Sequence, residues 1–333
     1  MKLLAGEVTH AGAGKILDLW DPAARRLVRR TIDQWQPDVV HLHNVVRELS
    51  PSVLGASRSA PVVMTVHELR AFGSPEHRGS GPRALADRLV LGPLTRYGAR
   101  RLAAVIAVSD TVADVLRAAG LSRVVSVPVP VPAPLVRPRS PAECADVVFA
   151  ASLTPGKGAQ VLLEAFTALA GKHPQARLVL LGDGPEFDAL RAAAAPLGSR
   201  VLLAGRVDPL GVSAAMARAR VVVVPSLRPE GSSLTAAEGA RHGRPVVTSD
   251  VPASAEVARQ VGGDVVPAGD VAALTARLDH WLADDADAVA AGGRAAHLAA
   301  AHYDVNAVTA QIRQVYADVL RIRNTADGAR AGR

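Results

Sequence analysis

The sequence is poor in cysteine and aromatic residues, and it contains no long apolar run. Its one cysteine, Cys144, excludes an intramolecular disulfide and fits a reducing compartment, so we expect a cytoplasmic protein. No run reaches the roughly 18 apolar residues of a membrane-spanning helix, and the amino terminus lacks the apolar core of a signal peptide. Aromatic residues make up 3% of the chain, so a surface that stacks single-stranded bases is poorly supported and we expect no nucleic acid partner.

Positive charge exceeds negative charge, with a formal net charge of +7. Such a balance favours an anionic partner, of which a phosphorylated small molecule and an anionic lipid surface are two kinds. The arginines within residues 83–101 leave open a peripheral contact with the inner face of an anionic membrane. The alternative is an ordinary solvated helix face.

Short apolar runs alternate with amphipathic helical stretches along most of the chain. In the second half these runs are "ADVVFAASL", "ARLVLLG", "RVLLAG", "RVVVVPS" and "RPVVTS", and in the first half "PDVVHLH", "APVVMTVH" and "LAAVIAVS". Buried strands that alternate with helices are typical of parallel sheets covered on both faces. The 333 residues therefore predict an α/β protein of two Rossmann-like domains, with ligands bound in a cleft between them at the carboxyl ends of the strands.

A proline-rich stretch separates the two halves. The run "VVSVPVPVPAPLVRPRSPAEC" blocks helix formation, which predicts a domain boundary near residues 128–144. We expect a first domain over residues 1–135 and a second over residues 145–302. A carboxyl-terminal helix over residues 303–322 can cross back to the first domain, and residues 323–333 are expected to form a flexible tail.

Two carboxylates lie eight positions apart in the otherwise small and apolar stretch "PEGSSLTAAEGARHGRPVV". The intervening Gly231, Ser232 and Ser233 predict that Glu230 lies in a loop and that one of the serines caps a helix. Glu238 then lies within that helix. The arrangement raises the question of why one acid precedes a helix start and another follows it.

Glycine-containing turns follow several of the predicted strands. Residues 154–158 form one such turn, which carries Lys157 just before a helix that begins near Ala159. A lysine at this position can reach an anion near the exposed N–H groups of the helix start, although an isolated one is more often simply solvated. Further turns occur at residues 182–185, in "LLAGRVDPL" and in the opening segment. Together they indicate a cradle for phosphate and nucleotide.

The ordered set of motifs resembles the retaining GT-B glycosyltransferases of family 4. The second half carries "SLTPGKG", "VLLEAF", "LVLLGDGPE", "LLAGRV", "VVVVPSLRPEGSSLTAAEGARHGRPVV" and "SDVPASAEV", and the first half carries "PDVVHLHN", "VVMTVHE" and "VIAVSDTVADVL". The resemblance implies the GT-B fold, with an acceptor-side first domain and a second domain that binds a nucleotide sugar. It also implies transfer of a sugar from a nucleotide diphosphate sugar donor to an acceptor of unknown class, a glycan, a lipid-linked sugar or a small molecule, with retention of anomeric configuration.

The resemblance gives roles to the two acids and to the catalytic candidates. It implies that Glu230 orients the transferred sugar and that Glu238 accepts hydrogen bonds from the ribose hydroxyls. Lys157 neutralises charge on the leaving diphosphate. His67, which follows "VVMTV", points towards the donor sugar, whereas a strand-end histidine bonded to the backbone is the alternative.

The same resemblance implies further contacts to the nucleotide diphosphate. The backbone N–H groups near Ser232, Ser233 and Leu234 meet the diphosphate at the helix start. Arg206 and Val207 border the nucleobase. The remaining members of the predicted donor site are Ser152 and Gly182, in the turns after two adjacent strands.

Three departures from the family pattern bear on function. The chain has Ala151-Ser152-Leu153 where the family usually has Gly-Arg-Leu, so the arginine that binds phosphate in the family is missing. The asparagine-glycine turn of the linker is replaced by "VPVPVP". The first strand and its glycine loop have no counterpart, which suggests a chain shortened at its amino terminus. The alternative function is therefore a catalytically degenerate protein that binds nucleotide sugars or acts as a scaffold.

Three motifs mimic phosphate or metal sites. In "HAGAGKIL", the spacing and the hydroxyl that a phosphate loop needs both fail. Asp285-Ala286-Asp287 is a DxD sequence in a helical, surface-like stretch. His41 and His43 share a strand face, but no third ligand is evident. We expect no metal site, and no cofactor apart from the donor substrate.

Overall fold

The computed structural model describes residues 21–45, 50–69, 72 and 87–331. The chain divides into two compact units, one formed by Met1–Pro128 with Thr309–Arg333 and the other by Val129–Val308. The phosphate-loop mimic lies in residues 1–20, outside the described residues, and the expectation about the first strand and its glycine loop stays a prediction.

The first unit is an α/β unit with a parallel sheet. Its elements are α1 (Pro22–Trp35), β1 (Val40–His43), β2 (Val62–Val66), α2 (Gly92–Ala99), β3 (Ala104–Ala107), α3 (Asp110–Ala118) and β4 (Val124–Ser126). Within the described residues the strands form a four-stranded sheet in the order β1-β2-β3-β4. The three predicted strands of the first half are confirmed as β1, β2 and β3. Strand β4, which is short and partly exposed, was not predicted.

The second unit contains the larger sheet. Its elements are β5 (Asp146–Ala150), α4 (Ala159–Leu169), β6 (Arg177–Leu181), α5 (Phe187–Ala194), β7 (Val201–Gly205), α6 (Pro209–Met216), β8 (Ala219–Val224), α7 (Leu234–Arg241), β9 (Val246–Ser249), α8 (Pro252–Gln260), β10 (Asp264–Val266), α9 (Val271–Ala283) and α10 (Asp285–Tyr303). The described strands pair in parallel in the order β10-β9-β8-β5-β6-β7. The five predicted strands of this half are confirmed as β5 to β9, and β10 is an addition.

Both faces of the larger sheet are covered, which explains the continuous apolar runs of its strands. Val147, Phe149 and Val221 pack on one face against α4 and α9. Val224 and Val246 pack with α7, α8 and α10 in a second cluster. Because alternate strand residues point to opposite faces, strands buried on both sides need apolar residues at nearly every position.

The last helix, α11 (Val305–Ala331), extends beyond the predicted helix end. The segment that was predicted to be a tail, residues 323–333, is therefore helical as far as Ala331. Among the helices of the described ranges, none is long and apolar enough to cross a membrane.

Candidate active site

The loops at the carboxyl ends of β5, β6 and β7 surround a cavity of about 870 Å³ in the second unit. The register aligns Ala150 with Leu181, and Leu181 with Gly205, so the residues that follow lie at one edge of the sheet. Residues predicted to bind the donor line this cavity: Ser152, Gly182, Arg206, Val207 and Glu238. The structure thus brings these five together in a cavity large enough for a nucleotide.

Two glycines let the loops of this edge pack backbone against backbone. A Cβ atom on Gly182, at φ +142°, would lie 1.9 Å from the carbonyl oxygen of Ala151. A Cβ atom on Gly158, at φ +71°, would lie 2.0 Å from the carbonyl oxygen of Pro225. Any other residue would force these loops apart. The close packing explains why both turns carry glycine.

Lys157 and Glu230 form an ion pair beside the main cavity. The Nζ atom of Lys157 lies 2.9 Å from Oε1 of Glu230, and the two side chains are 31% and 15% exposed. The hydroxyl of Ser226 donates a hydrogen bond to the same carboxylate oxygen. Both residues line a small pocket that shares Ala150 and Ala151 with the main cavity. The Glu230 carboxylate is therefore held in place by two donors.

The start of α7 has no side-chain cap. Ser233 occupies the N-cap position, as predicted, but its side chain makes no capping hydrogen bond to the helix. Its hydroxyl is buried and has no hydrogen-bond partner within the part of the chain that the structure describes. The predicted capping bond is therefore wrong for Ser233, because its hydroxyl accepts from none of the helix N–H groups. The first N–H groups of the helix, from Leu234 onwards, lack a side-chain acceptor and suit an anion.

Glu238 presents a carboxylate to the main cavity from the middle of α7. Burial raises the pKa of this carboxyl group above its ordinary value. None of the described residues donates a hydrogen bond to its side-chain oxygens. The carboxylate is thus available to accept hydrogen bonds from hydroxyl groups of a ligand.

A buried pair that the sequence analysis missed, Ser213 and His242, fixes one wall of the cavity. The Ser213 hydroxyl oxygen accepts hydrogen bonds from the backbone N–H groups of Leu135 and Val136 at 3.0 and 3.1 Å. Its own hydrogen then points to Nε2 of His242, 2.8 Å away, and Nδ1 of His242 donates to the carbonyl oxygen of Glu238. This pattern requires a neutral imidazole, and burial lowers the pKa of His242 accordingly.

The sequence analysis also overlooked a cation, Arg228, beside the turn that carries Lys157. Arg228 is exposed, and a Cβ atom on Gly156 would lie 3.2 Å from its Cδ atom. The Arg228 side chain therefore lies against the turn that carries Lys157. Its guanidinium has no ion pair or hydrogen bond within residues 87–331. The signal in the sequence was its position two residues before Glu230.

His67 belongs to the first unit, where three imidazoles lie side by side. Nε2 of His67 is 3.0 Å from Nδ1 of His43, and the ring of His43 stacks on that of His41 at 4.4 Å. Burial and the neighbouring His43 lower the pKa of His67. The backbone N–H of His67 donates to the side chain of Asn44. The other predicted site residues belong to the second unit.

We expect His41 to make the first unit sensitive to acid. Burial and the adjacent imidazoles lower the pKa of His41 to about 4, and its ring nitrogens bond to Tyr316 and Thr65. Above about pH 6.5 the ring is neutral in both the folded and the unfolded state. Between that pH and pH 4, the His41 ring is protonated in the unfolded chain but stays neutral in the folded chain. The free energy of unfolding should fall by up to about 2 kcal/mol over this window, after a discount for solvent screening.

Urea denaturation at pH 7.5 and pH 4.5 measures this change. His41→Gln should reduce the pH dependence, to which His67 and His242 also contribute, and His297→Gln, an exposed control on α10, should leave it unchanged. An equal pH dependence in wild type and His41→Gln would contradict the assignment.

The metal-site mimics have other partners. The Asp285 carboxylate lies 2.6 Å from Nη1 of Arg220, whose guanidinium is buried and also donates to the carbonyl oxygens of Trp281 and Pro141. Asp287 bonds to His280 at 2.8 Å. Asp285 thus balances a buried charge. In the described ranges no three His, Cys, Asp or Glu side chains are grouped so as to hold a metal ion.

Comparisons with known proteins agree with this fold. Residues 144–284 match the family model for glycosyl transferases group 1, and residues 11–133 match the model for glycosyltransferase family 4. The chain is 31% identical to the phosphatidyl-myo-inositol mannosyltransferase of Mycolicibacterium smegmatis over 310 residues, which covers 90% of this chain and 75% of that protein. It is 36% identical to the enzyme of the same name from Mycobacterium leprae, over 50% of this chain and 44% of that protein.

The fold matches solved structures as well. Anabaena HepE in complex with UDP and glucose superposes with a TM-score of 0.69 at 20% identity, over 88% of this chain and 81% of that one. The two parallel-sheet units therefore have the GT-B fold, which defines the structural class of the protein as a GT-B glycosyltransferase. The chain belongs to glycosyltransferase family 4.

Proposed function

We propose that this chain is a sugar transferase that uses a nucleotide diphosphate sugar as donor and retains the anomeric configuration. The observation that carries the proposal is the arrangement around α7. The Lys157–Glu230 pair precedes the helix, an uncapped helix start follows, and Glu238 faces the main cavity. This order matches the parts of such a donor, which are sugar, diphosphate and ribose.

We propose that the diphosphate binds between the two cavities, near Ala150 and Ala151. There the N–H groups at the start of α7 and the ammonium group of Lys157 act together on the phosphates. The unpaired, buried hydroxyl of Ser233 gains a partner when phosphate binds, which removes the cost of burying it alone. Arg228 supplies the second positive charge that Ser152 cannot supply.

The nucleoside occupies the main cavity. Glu238 accepts hydrogen bonds from the ribose hydroxyls, and Arg206 and Val207 border the base. The HepE complex contains UDP, which makes uridine the first nucleoside to test. Glu230 orients the sugar, and His67 stays the proposed catalytic residue of the first unit.

Transfer is proposed to occur on one face of the sugar. The bond between the anomeric carbon and the diphosphate breaks, and the acceptor oxygen bonds to that carbon from the side that the diphosphate leaves. The acceptor proton passes to a diphosphate oxygen, so the products are a nucleoside diphosphate and a glycoside of unchanged configuration. Glu230 is already bound by Lys157 and Ser226, which favours a role in orientation over one as a nucleophile. Leaving-group stabilisation is then the main catalytic contribution.

Hydrolysis of donors in the absence of an acceptor tests this function. The full chain is incubated with UDP-, GDP- and ADP-sugars of α configuration, and the released sugar is followed by proton NMR before it mutarotates. We expect the α anomer first, from one of these donors. The β anomer first would refute retention. Donor binding by calorimetry without any turnover would favour the scaffold alternative.

We further propose that the donor binds without a metal ion. Backbone N–H groups and Lys157 supply the phosphate contacts, so the affinity for the nucleoside diphosphate should not change when EDTA is added. Calorimetry with and without the chelator measures this. A loss of binding with EDTA that Mg²⁺ restores would contradict the proposal.

The acceptor and the location are proposed from similarity to relatives and from an exposed surface. The relatives named phosphatidyl-myo-inositol mannosyltransferase make a lipid-linked acceptor the first class to test. Leu89, Val90 and Tyr97 are exposed around the start and the body of α2, at 61%, 41% and 60%. We propose a cytoplasmic enzyme that contacts an anionic membrane through this surface. Vesicle flotation with and without phosphatidylglycerol tests the contact.

A further inference from the structure

A second cavity, of about 560 Å³, lies in the first unit at the sheet edge opposite to the histidines. It borders the residues that precede β2, β3 and β4, namely Pro61, Ala103 and Arg123. In a parallel sheet these amino ends share one edge, whereas His43 is the last residue of β1 and His67 follows β2, at the carboxyl ends. The cavity is therefore separate from the predicted catalytic histidine.

Three arginines from two loops line this cavity: Arg100, Arg101 and Arg123. Within residues 87–331 none of their guanidinium groups pairs with a carboxylate. Arg101 bonds to the hydroxyl of Tyr97 and stacks on its ring at 4.6 Å. Arg123 reaches the carbonyl oxygen of Ala103 only at 3.5 Å. Three charges with so few internal partners have hydrogen-bonding capacity left for a ligand.

The backbone at Arg123 supports a functional reading. This residue has φ +67°, a left-handed conformation that favours glycine and is strained for a residue with a side chain. The tight turn between α3 and β4 would accept glycine there, yet the sequence carries an arginine. The alternative is that the arginines only balance the negative end of the α2 helix dipole. This explains Arg100 and Arg101 but not Arg123.

We propose that this cavity is a binding site for a multiply charged phosphate anion, such as an oligophosphate or a phosphorylated metabolite. Guanidinium groups bind phosphate oxygens in pairs through parallel N–H donors, and three of them can engage several oxygens at once. The cavity volume suits a small ligand. The hydroxyls of Ser57 and Ser122 at the rim add polar contacts. A free anion and a lipid phosphomonoester share this chemistry.

Titration of the full chain with inorganic tripolyphosphate tests the site. Because the proposed donor site also binds phosphate, every protein in the series carries Lys157→Ala. We expect the affinity to fall about tenfold or more in Arg123→Gln and in the double variant Arg100→Gln/Arg101→Gln. Arg26→Gln, which changes an exposed arginine of α1 outside the cavity, should leave the affinity unchanged. Arg123→Gly suits the positive φ, so it should stay folded and lose binding.

A second arm separates the two sources of phosphate. The same proteins are mixed with vesicles that contain phosphatidic acid or phosphatidylcholine alone. If tripolyphosphate binds and the arginine variants lose this binding, the ligand is a free anion. If the protein binds phosphatidic acid vesicles but not tripolyphosphate, and the arginine variants lose the vesicle binding, the ligand is a lipid. Absence of binding in both arms overturns the proposal. So does an equal loss in Arg26→Gln, which would indicate diffuse surface charge.

Discussion

Replacing Lys157 with alanine is expected to lower the turnover number by about 10²–10³-fold. The leaving group of the proposed reaction carries two phosphates, and Ser152 stands where the family usually places an arginine. With Lys157 gone, the proposed phosphate donors are the neutral N–H groups at the start of α7 and the exposed Arg228 side chain. The change also leaves the Glu230 carboxylate, which is 15% exposed, without its ammonium partner. Steady-state turnover of the donor, with melting temperature as a check on folding, measures the effect.

Two further variants make the Lys157 result specific. Lys172→Ala removes an exposed lysine of the same unit, which pairs with Asp279 at 2.6 Å, and should leave turnover unchanged. Ser152→Arg should tighten the nucleoside diphosphate and hardly affect the nucleoside, because its guanidinium can engage two phosphate oxygens. If Ser152→Arg stays folded and fails to tighten the diphosphate, and Arg228→Gln weakens it, then Arg228 already fills that role. If Lys157→Ala, Ser152→Arg and Arg228→Gln all leave diphosphate binding unchanged, this donor site is ruled out.

The strands were predictable where the sequence pattern was strong. The runs that became β5, β6, β8 and β9 have four to six residues and are largely buried on both faces, so their apolar character is nearly continuous. The edge strand β7 is only partly buried, but its run is apolar as well. Strands β4 and β10 have three residues each and are partly exposed, which gives no such signal. The helix that carries Glu238 was predictable from its flanking small residues and is confirmed as α7.

The site was predictable only as far as local motifs reach. The glycine turns and the loop position of Glu230 follow from short segments. The Ser213–His242 bond joins residues 29 positions apart, and the His41–Tyr316 bond joins residues 275 positions apart. Such contacts depend on how helices pack on the sheets, which no short motif encodes. The missing cap at Ser233, whose backbone lies at φ −107° and ψ 84°, is likewise not encoded by a short motif.

Single substitutions of Glu238 and Glu230 should separate binding from turnover. Glu238→Ala is expected to weaken the nucleoside diphosphate and the nucleotide sugar alike, by about tenfold or more, because both carry the ribose. Glu230→Gln should leave the affinity for the nucleoside diphosphate nearly intact and lower turnover, because its proposed contact is to the sugar. Glu164→Ala, which removes an exposed carboxylate of α4, serves as the control.

The pH dependence gives Glu238 a signature that a structural role would lack. Burial raises the pKa of this carboxyl group, so its charge is lost at a higher pH than that of an ordinary glutamate. The ionised carboxylate accepts the ribose hydroxyls better than the protonated form does. Nucleoside affinity should therefore fall as the pH drops through this raised pKa, and Glu238→Gln should remove that dependence. Calorimetry with the nucleoside alone, which avoids titration of phosphate, measures it. Equal effects of the Glu230 and Glu238 variants on nucleoside affinity would contradict the division of roles, since both carboxylates would then contribute to binding of the nucleoside.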